Sequence, residues 1–169
     1  PPTIPSVVIN EILTHADSPD VDAIELFNPT AQDVDVSGWF LSDDGAVPGK
    51  FTIPDGTVLA PGAYWVFTET NFNPVPGTLL NFALDSGGDA LYLTSADAAG
   101  NLTGYSHGVD FGAAAVGVSF GRYVNSVGEE QFPAQLATTL GGPNAGPVIG
   151  PVVITEIPSN LDDDDVLEL

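Results

Sequence analysis

Nowhere along this chain do apolar residues keep the i, i+3, i+4, i+7 spacing of an amphipathic helix for about a dozen positions without a Gly or Pro interrupting them. Short apolar or alternating runs take its place. Turn residues close them at Pro54-Asp55-Gly56, Pro61-Gly62, Ser86-Gly87-Gly88-Asp89 and Ala99-Gly100-Asn101. The runs predict strands near Ser6–Leu13, Asp22–Asn28, Gly38–Ser42, Lys50–Ile53, Ala63–Thr68, Leu80–Leu84, Ala90–Ser95, Leu102–Ser106 and Val116–Tyr123. In Ala90-Leu91-Tyr92-Leu93-Thr94 the two Leu would face a core and Tyr92 the other side. Short strands at this spacing predict an all-β fold, an antiparallel sandwich or barrel. Trp39, Phe27, Phe40 or Leu41, Leu91, Leu93 and Phe120 are expected to share one core. Nine Phe, four Tyr and two Trp can fill it, each adding about 1.5–3 kcal/mol when fully buried.

After Tyr123 the pattern weakens. Asn125 to Gln131 reads as an exposed loop, and Gly141-Gly142-Pro143-Asn144-Ala145-Gly146-Pro147 as a stiff linker. This predicts a first domain over 1–144 and a linker over 145–151. The opening of the chain then returns. Val7-Val8-Ile9-Asn10-Glu11-Ile12 and Ile24-Glu25-Leu26 come back as Val152-Val153-Ile154-Thr155-Glu156-Ile157 and Leu167-Glu168-Leu169. Residues 152–169 are thus expected to be the first two strands of a second, similar module in a longer tandem protein. The missing initiator Met and the absence of Met agree with an excised fragment. Two such strands cannot bury an apolar face alone, which predicts self-association through the C-terminal strand.

Charge narrows the partners. There are 23 acidic residues against only Lys50 and Arg122, a formal net of −21. Nucleic acid is not expected, because displacing its counterions needs clustered Lys and Arg. An anionic membrane surface is disfavoured for the same reason. Divalent cations or high salt suit such a surface, although acidity also keeps an extracellular protein soluble. With no Cys there is no disulfide and no zinc–thiolate site. No apolar run approaches the roughly 20 residues of a membrane span, and no signal-peptide pattern appears, so no membrane insertion is predicted.

Several segments, in order, resemble the lamin-tail domain of nuclear lamins and of secreted bacterial multidomain proteins. They are Val8-Ile9-Asn10-Glu11-Ile12, Ile24-Glu25-Leu26-Phe27-Asn28-Pro29 and Ser37-Gly38-Trp39-Phe40-Leu41-Ser42-Asp43. Phe51-Thr52-Ile53-Pro54, Leu59-Ala60-Pro61-Gly62, Phe82-Ala83-Leu84 and Gly87-Gly88-Asp89-Ala90-Leu91-Tyr92-Leu93 follow. Ser119-Phe120-Gly121-Arg122 and Leu140-Gly141-Gly142-Pro143-Asn144 resemble the bacterial form, so the likeness runs from Ser6 to Asn144. It implies an immunoglobulin-like antiparallel β-sandwich. The residue types suit one: Gly38 allows a tight bend that admits Trp39 to the core. Asn28-Pro29 ends a strand, since Pro cannot donate to a ladder. Pro61-Gly62 fits the centre of a type II turn. The chain lacks the basic character of the nuclear members, so chromatin contacts are not carried over.

Catalysis finds little in the sequence. Ser106-His107 with Asp110 groups hydrolase residue types, but a triad needs a defined geometry that a Gly-flanked surface loop does not supply. Ser86-Gly87-Gly88-Asp89 reads as a turn, with no helix following to cradle phosphate. Calcium is the sharper idea, since it takes six to eight oxygens from carboxylates and carbonyls on flexible loops. Asp17, Asp20 and Asp22 crowd the first loop near Glu11 and Glu25, and the second copy carries Asp162, Asp163, Asp164 and Asp165. These are the candidate calcium ligands; a solvated acidic loop explains the same residues. Asp33, Asp35, Ser37 and Asp44 partly follow the helix–loop–helix calcium pattern, but flanking helices are absent and Trp39 is committed to the core. His15 reads as a solvated residue, and Arg122 as a structural cation paired with a carboxylate inside the module.

The chain is therefore expected to be a non-catalytic module for spacing, adhesion or assembly in a secreted or surface-anchored bacterial protein, extracellular or at the cell surface. No cofactor is expected, with calcium as the one candidate, and the protein or carbohydrate partner is unknown. The competing expectation is a calcium-dependent carbohydrate- or protein-binding module accessory to a hydrolase. A groove rimmed by exposed aromatics would favour the second; aromatics used up in the core would favour the first.

Overall fold

Alternation in the sequence becomes two antiparallel sheets facing each other across one core. The computed structural model describes residues 6–78 and 80–150. In chain order its strands are β1 (Val8–Leu13), β2 (Ala23–Phe27), β3 (Val34–Asp35), β4 (Phe40–Ser42), β5 (Phe51–Thr52) and β6 (Val58–Leu59). They continue as β7 (Tyr64–Thr68), β8 (Asp89–Ala96), β9 (Leu102–Phe111), β10 (Ser119–Gly121), β11 (Tyr123–Val124) and β12 (Glu130–Gln131). The helical content of the described residues is one turn, α1 (Glu69–Phe72), and a 3-10 turn at Pro48–Lys50. The first sheet runs β10-β1-β2-β7 and the second β5-β4-β8-β9, with β3-β6 and β11-β12 as small ribbons. This is the all-β, immunoglobulin-like sandwich expected. The second copy at residues 152–169 lies outside the described residues.

Period-two geometry decides which residues meet. Ile9, Ile12, Ile24, Leu26 and Phe67 of the first sheet join Leu41, Leu91, Leu93, Val109 and Phe111 of the second in one buried cluster, with Trp39 and Phe120. Phe27 differs from expectation. With Ile24 and Leu26 inward, Phe27 takes the outer face of β2 and stacks on Tyr64 with ring centroids 4.7 Å apart. Phe40 is likewise half-buried, and Leu41 is the core residue of β4. Gly38, at φ 75°, makes the bend before Trp39.

Three other expectations change. Leu80–Leu84 is no strand. Phe82 and Leu84 are buried, and Phe82 stacks on Phe72 at 4.9 Å. Alternation there reported burial, and without a neighbouring ladder burial does not make a strand. The presumed loop at Asn125–Gln131 is the tip and return of the β11–β12 hairpin, registered Tyr123 to Gln131 and Val124 to Glu130. The presumed linker is bound down. Leu136 N–H donates to Gly146 O (3.0 Å), Gly146 N–H to Gln135 Oε1 (2.9 Å) and Val148 N–H to Ala134 O (2.8 Å).

Residues 133–148 thus form a strap. Its start closes the edge of β10 through Gln135 N–H to Ser119 O (2.8 Å) and Gly121 N–H to Pro133 O (3.1 Å). Gly121 is required at this approach: a Cβ there would lie 2.6 Å from Gln135 Cδ.

Candidate functional site

The strap covers two carboxylates. Glu11 and Glu25 stand directly opposite in the β1–β2 register, and each side chain is fully buried. Ile12 and Ile24 beside them point into the core, so the glutamates point to the outer face. Like charges opposite each other in a sheet destabilise it, and unpaired buried charge costs far more. Donors converge to offset this. Glu11 Oε1 accepts Ser119 Oγ–H (2.5 Å) and Thr139 N–H (2.9 Å), and Oε2 accepts Thr139 Oγ1–H (2.8 Å). Glu25 Oε1 accepts from Asn10 Nδ2 (2.7 Å), and Oε2 from Gly141 N–H. Burial pushes the Glu25 carboxyl up; the Asn10 and Gly141 hydrogen bonds pull it back, the Glu11 charge adds to the rise, and the net direction is upward.

Local sequence explains the placement. A bulge between Ile9 and Glu11 sets Asn10 out of the regular pairing. Its side chain bonds both Glu25 and Asn144 Oδ1 (2.9 Å), while Asn144 Nδ2 returns to Asn10 O (3.1 Å) and Arg122 O (3.0 Å). Asn10, Glu11, Glu25 and the Thr139–Asn144 segment are therefore one polar network, closed to solvent at the glutamates.

A second network joins the sheets. Ile9 N–H donates to His107 Nδ1 (3.1 Å), which leaves the ring proton on Nε2, facing Glu130 Oε1 at 2.6 Å. Arg122 Nε also reaches Glu130, which is the internal pairing expected of Arg122. Burial pushes the Glu130 carboxyl up, but hydrogen bonds from His107 and Arg122, with the Arg122 charge, outweigh it and hold it below the usual range. Tyr105 Oη donates to Val7 O (2.7 Å), and burial raises that phenol to about 12. His107 sits within strand β9, not in the surface loop expected. Its neighbours Ser106 and Asp110 are exposed, and alternation puts them on the opposite face, so the three cannot converge.

The remaining candidates lie apart. Asp17 and Asp20 are exposed on a turn closed by Asp20 N–H to Asp17 O (2.8 Å). Burial raises the Asp22 carboxyl; the Ala16 N–H it accepts lowers it, nearby Glu69 adds to the rise and His15 lowers it. Asp22 thus answers to Glu69 and His15, not to Glu11 and Glu25. Among the described residues no group of three or more His, Asp or Glu is placed to share a metal ion. Asp35 Oδ1 accepts Ser37 N–H (2.9 Å) and Asp44 Oδ1 accepts Ala46 N–H (2.8 Å), as turn residues do. His15 is half-buried, its Nδ1 3.1 Å from Ala114 O. Asp162 to Asp165 lie outside the described residues.

A family model described as the Lamin Tail Domain matches residues 1–109. The chain belongs to that family. The family is one of non-catalytic immunoglobulin-like domains. No curated protein and no solved structure matches the chain. The match ends inside β9, so β10 and the strap that cap the lamin tail carboxylates lie beyond it. In this lamin tail module the buried pair ties the strap to strands β1 and β2. Sequence reasoning found Glu11 and Glu25 but missed their cap, because Thr139, Gly141 and Asn144 are more than a hundred residues away along the chain. The available signal was Gly141-Gly142-Pro143-Asn144, already part of the family resemblance.

Proposed function

We propose that this lamin tail module is a non-catalytic structural or assembly unit of a secreted or surface-anchored bacterial multidomain protein. The observation that carries the reading is where the aromatics are used. Among the described residues, Trp65 and Tyr123 are the only exposed aromatics, and they stand on different strands, β7 and β11. A carbohydrate-binding groove needs several exposed rings along one track. An open depression of about 580 Å³ beside Gly38, Trp39, Phe40 and Thr52 offers a buried Trp39 and a half-buried Phe40, with Asp35 and Asp97 at its rim. Acidity and family membership are compatible with work outside the cell. Among the described residues no helix is long and apolar enough to cross a membrane.

Affinity electrophoresis through gels containing soluble polysaccharides tests the functional reading. We expect unchanged mobility with and without calcium. Saturable retardation that Trp65→Ala removes would overturn it in favour of the accessory binding module. Fractionation of the producing cells tests the location, and recovery only from the cytosol would overturn that part.

A further inference from the structure

We propose that the free edge of β7 takes an extended, basic segment of a partner protein as an additional strand. This rests on the reading of the module as an assembly unit and names the surface and chemistry through which it would assemble.

Hydrogen-bond phase identifies the edge. Asn28 N–H bonds Ala63 O (3.0 Å) and Glu69 N–H bonds Asp22 O (2.7 Å), with Tyr64 opposite Phe27 and Thr68 opposite Ala23 between them. In an antiparallel ladder bonded and non-bonded pairs alternate. Trp65 and Phe67 therefore bond β2, while the N–H and C=O of Tyr64, Val66 and Thr68 point away from the sheet. Thr68 N–H is taken by Asn71 Oδ1 (2.9 Å). Tyr64 and Val66 have no strand beyond them among the described residues.

Other edges are blunted. The strap covers β10, β5 is two residues long and follows the ion-paired Lys50, and β9 carries the charged Asp110, Gly104 at φ 99° and a register shift against β8. Natural sheets protect edges with charge, Pro or a bulge. β7 has none of these: its sequence is Tyr-Trp-Val-Phe-Thr, and its register with β2 runs without a shift. Trp65, 40% exposed, offers apolar surface at the same edge. An unprotected edge with an aromatic beside it suits strand addition, in which the main chain supplies affinity and side chains supply selectivity.

Charge chooses the occupant. Glu69 follows β7 directly, Asp22 bonds it, and Asp20 shares a depression with Thr68. The two cations of this chain are already paired, Lys50 with Asp43 (2.5 Å) and Arg122 with Glu130. A second copy would bring its own net charge of −21, whereas Lys or Arg on an incoming strand relieves the repulsion.

Binding of a fluorescein-labelled, capped peptide alternating Lys and Val, followed by anisotropy, tests the proposal. The controls are the Glu/Val counterpart and a Lys/Pro peptide that cannot form a ladder. We expect only the Lys/Val peptide to bind, with added hydrogen-exchange protection at the Tyr64 and Val66 amides. Val66→Pro removes an outward N–H without touching a β2 bond and should weaken binding about tenfold or more. Asp20→Asn with Glu69→Gln should also weaken it while circular dichroism stays unchanged, which covers the case in which the proline variant does not fold. Equal binding of the Lys/Pro peptide, or no protection at Tyr64 and Val66, would overturn the edge. Sedimentation showing a peptide-free dimer that Val66→Pro dissolves would overturn the basic occupant in favour of a second copy. Saturable retardation on polysaccharide gels would defeat the assembly reading itself, and failure of the peptide alone would leave that reading standing.

Discussion

Glu11 and Glu25 face each other across β1 and β2, both buried, yet their surroundings differ in number of donors. Glu11 takes Ser119 and both Thr139 donors; Glu25 takes one amide from Asn10 and one backbone N–H from Gly141. Glu11→Ala strands the buried Ser119 hydroxyl and the two half-buried donors of Thr139 at once, and a buried donor left unmade costs about 1–3 kcal/mol. We expect urea denaturation to show a loss of about 3 kcal/mol or more, and a smaller loss for Glu11→Gln, which keeps one acceptor oxygen. The pH response should separate Glu25 from Glu130. Glu25 is raised in the fold, so folding favours its proton. Its contribution is complete below the unfolded carboxylate value near 4.5 and is lost as pH rises through the folded value. Glu130 is lowered, so its contribution is present above that unfolded value and is lost as pH falls through the folded one. Thermal melts across mildly acidic to neutral pH should show the falling arm flattened by Glu25→Gln. The acid arm should be flattened by Glu130→Gln. Unchanged profiles in both variants would remove these two groups from the pH dependence.

At the scale of elements, the strap is the part that completes the module. A chain ending at Gln131 keeps every strand of both sheets but loses the donors of Thr139 and Gly141 and the cover of the β10 edge. We expect it to be unfolded or aggregated at room temperature, while a chain ending at Gly150 melts cooperatively; equal melting of the two would remove the strap from the fold. The strands were legible because alternation reports burial locally: Ile24, Leu26, Leu91 and Leu93 needed only their neighbours in sequence to be placed inward. The strap was not, because Gly141-Gly142-Pro143-Asn144 has the composition of a linker and its hydrogen bonds are made to residues far away in the chain. The same limit applies to Phe82 and Leu84, where burial was readable and the missing ladder was not. For the candidate site, the two glutamates were visible as charges in apolar runs. What they face was not, because a carboxylate beside acidic loops reads alike whether it meets a cation or a capped pocket.

For the whole molecule, charge sets the terms. A net of −21 with both cations internally paired leaves a surface of one sign, and its self-repulsion opposes the compact state. The screening length falls from about 10 Å at 0.1 M salt to about 3 Å at 1 M. Sodium chloride should therefore raise the melting temperature progressively, by screening repulsion between exposed carboxylates. Divalent cations should do the same at lower concentration. The comparison of calcium with magnesium at equal ionic strength then tests for a site. Glu11 and Glu25 have oxygens already engaged by donors of the strap and of Asn10, and Asp17 and Asp20 stand exposed on a turn. Asp22 faces Glu69, a single close carboxylate neighbour, where calcium takes six to eight oxygens. We expect the two ions to shift the melt alike. An excess for calcium, erased by alanine at Asp17, Asp20 and Asp22, would instead make the first loop a specific site. An excess that survives those substitutions would point to the acidic run at Asp162–Asp165, and a chain ending at Gly150 should then lose it.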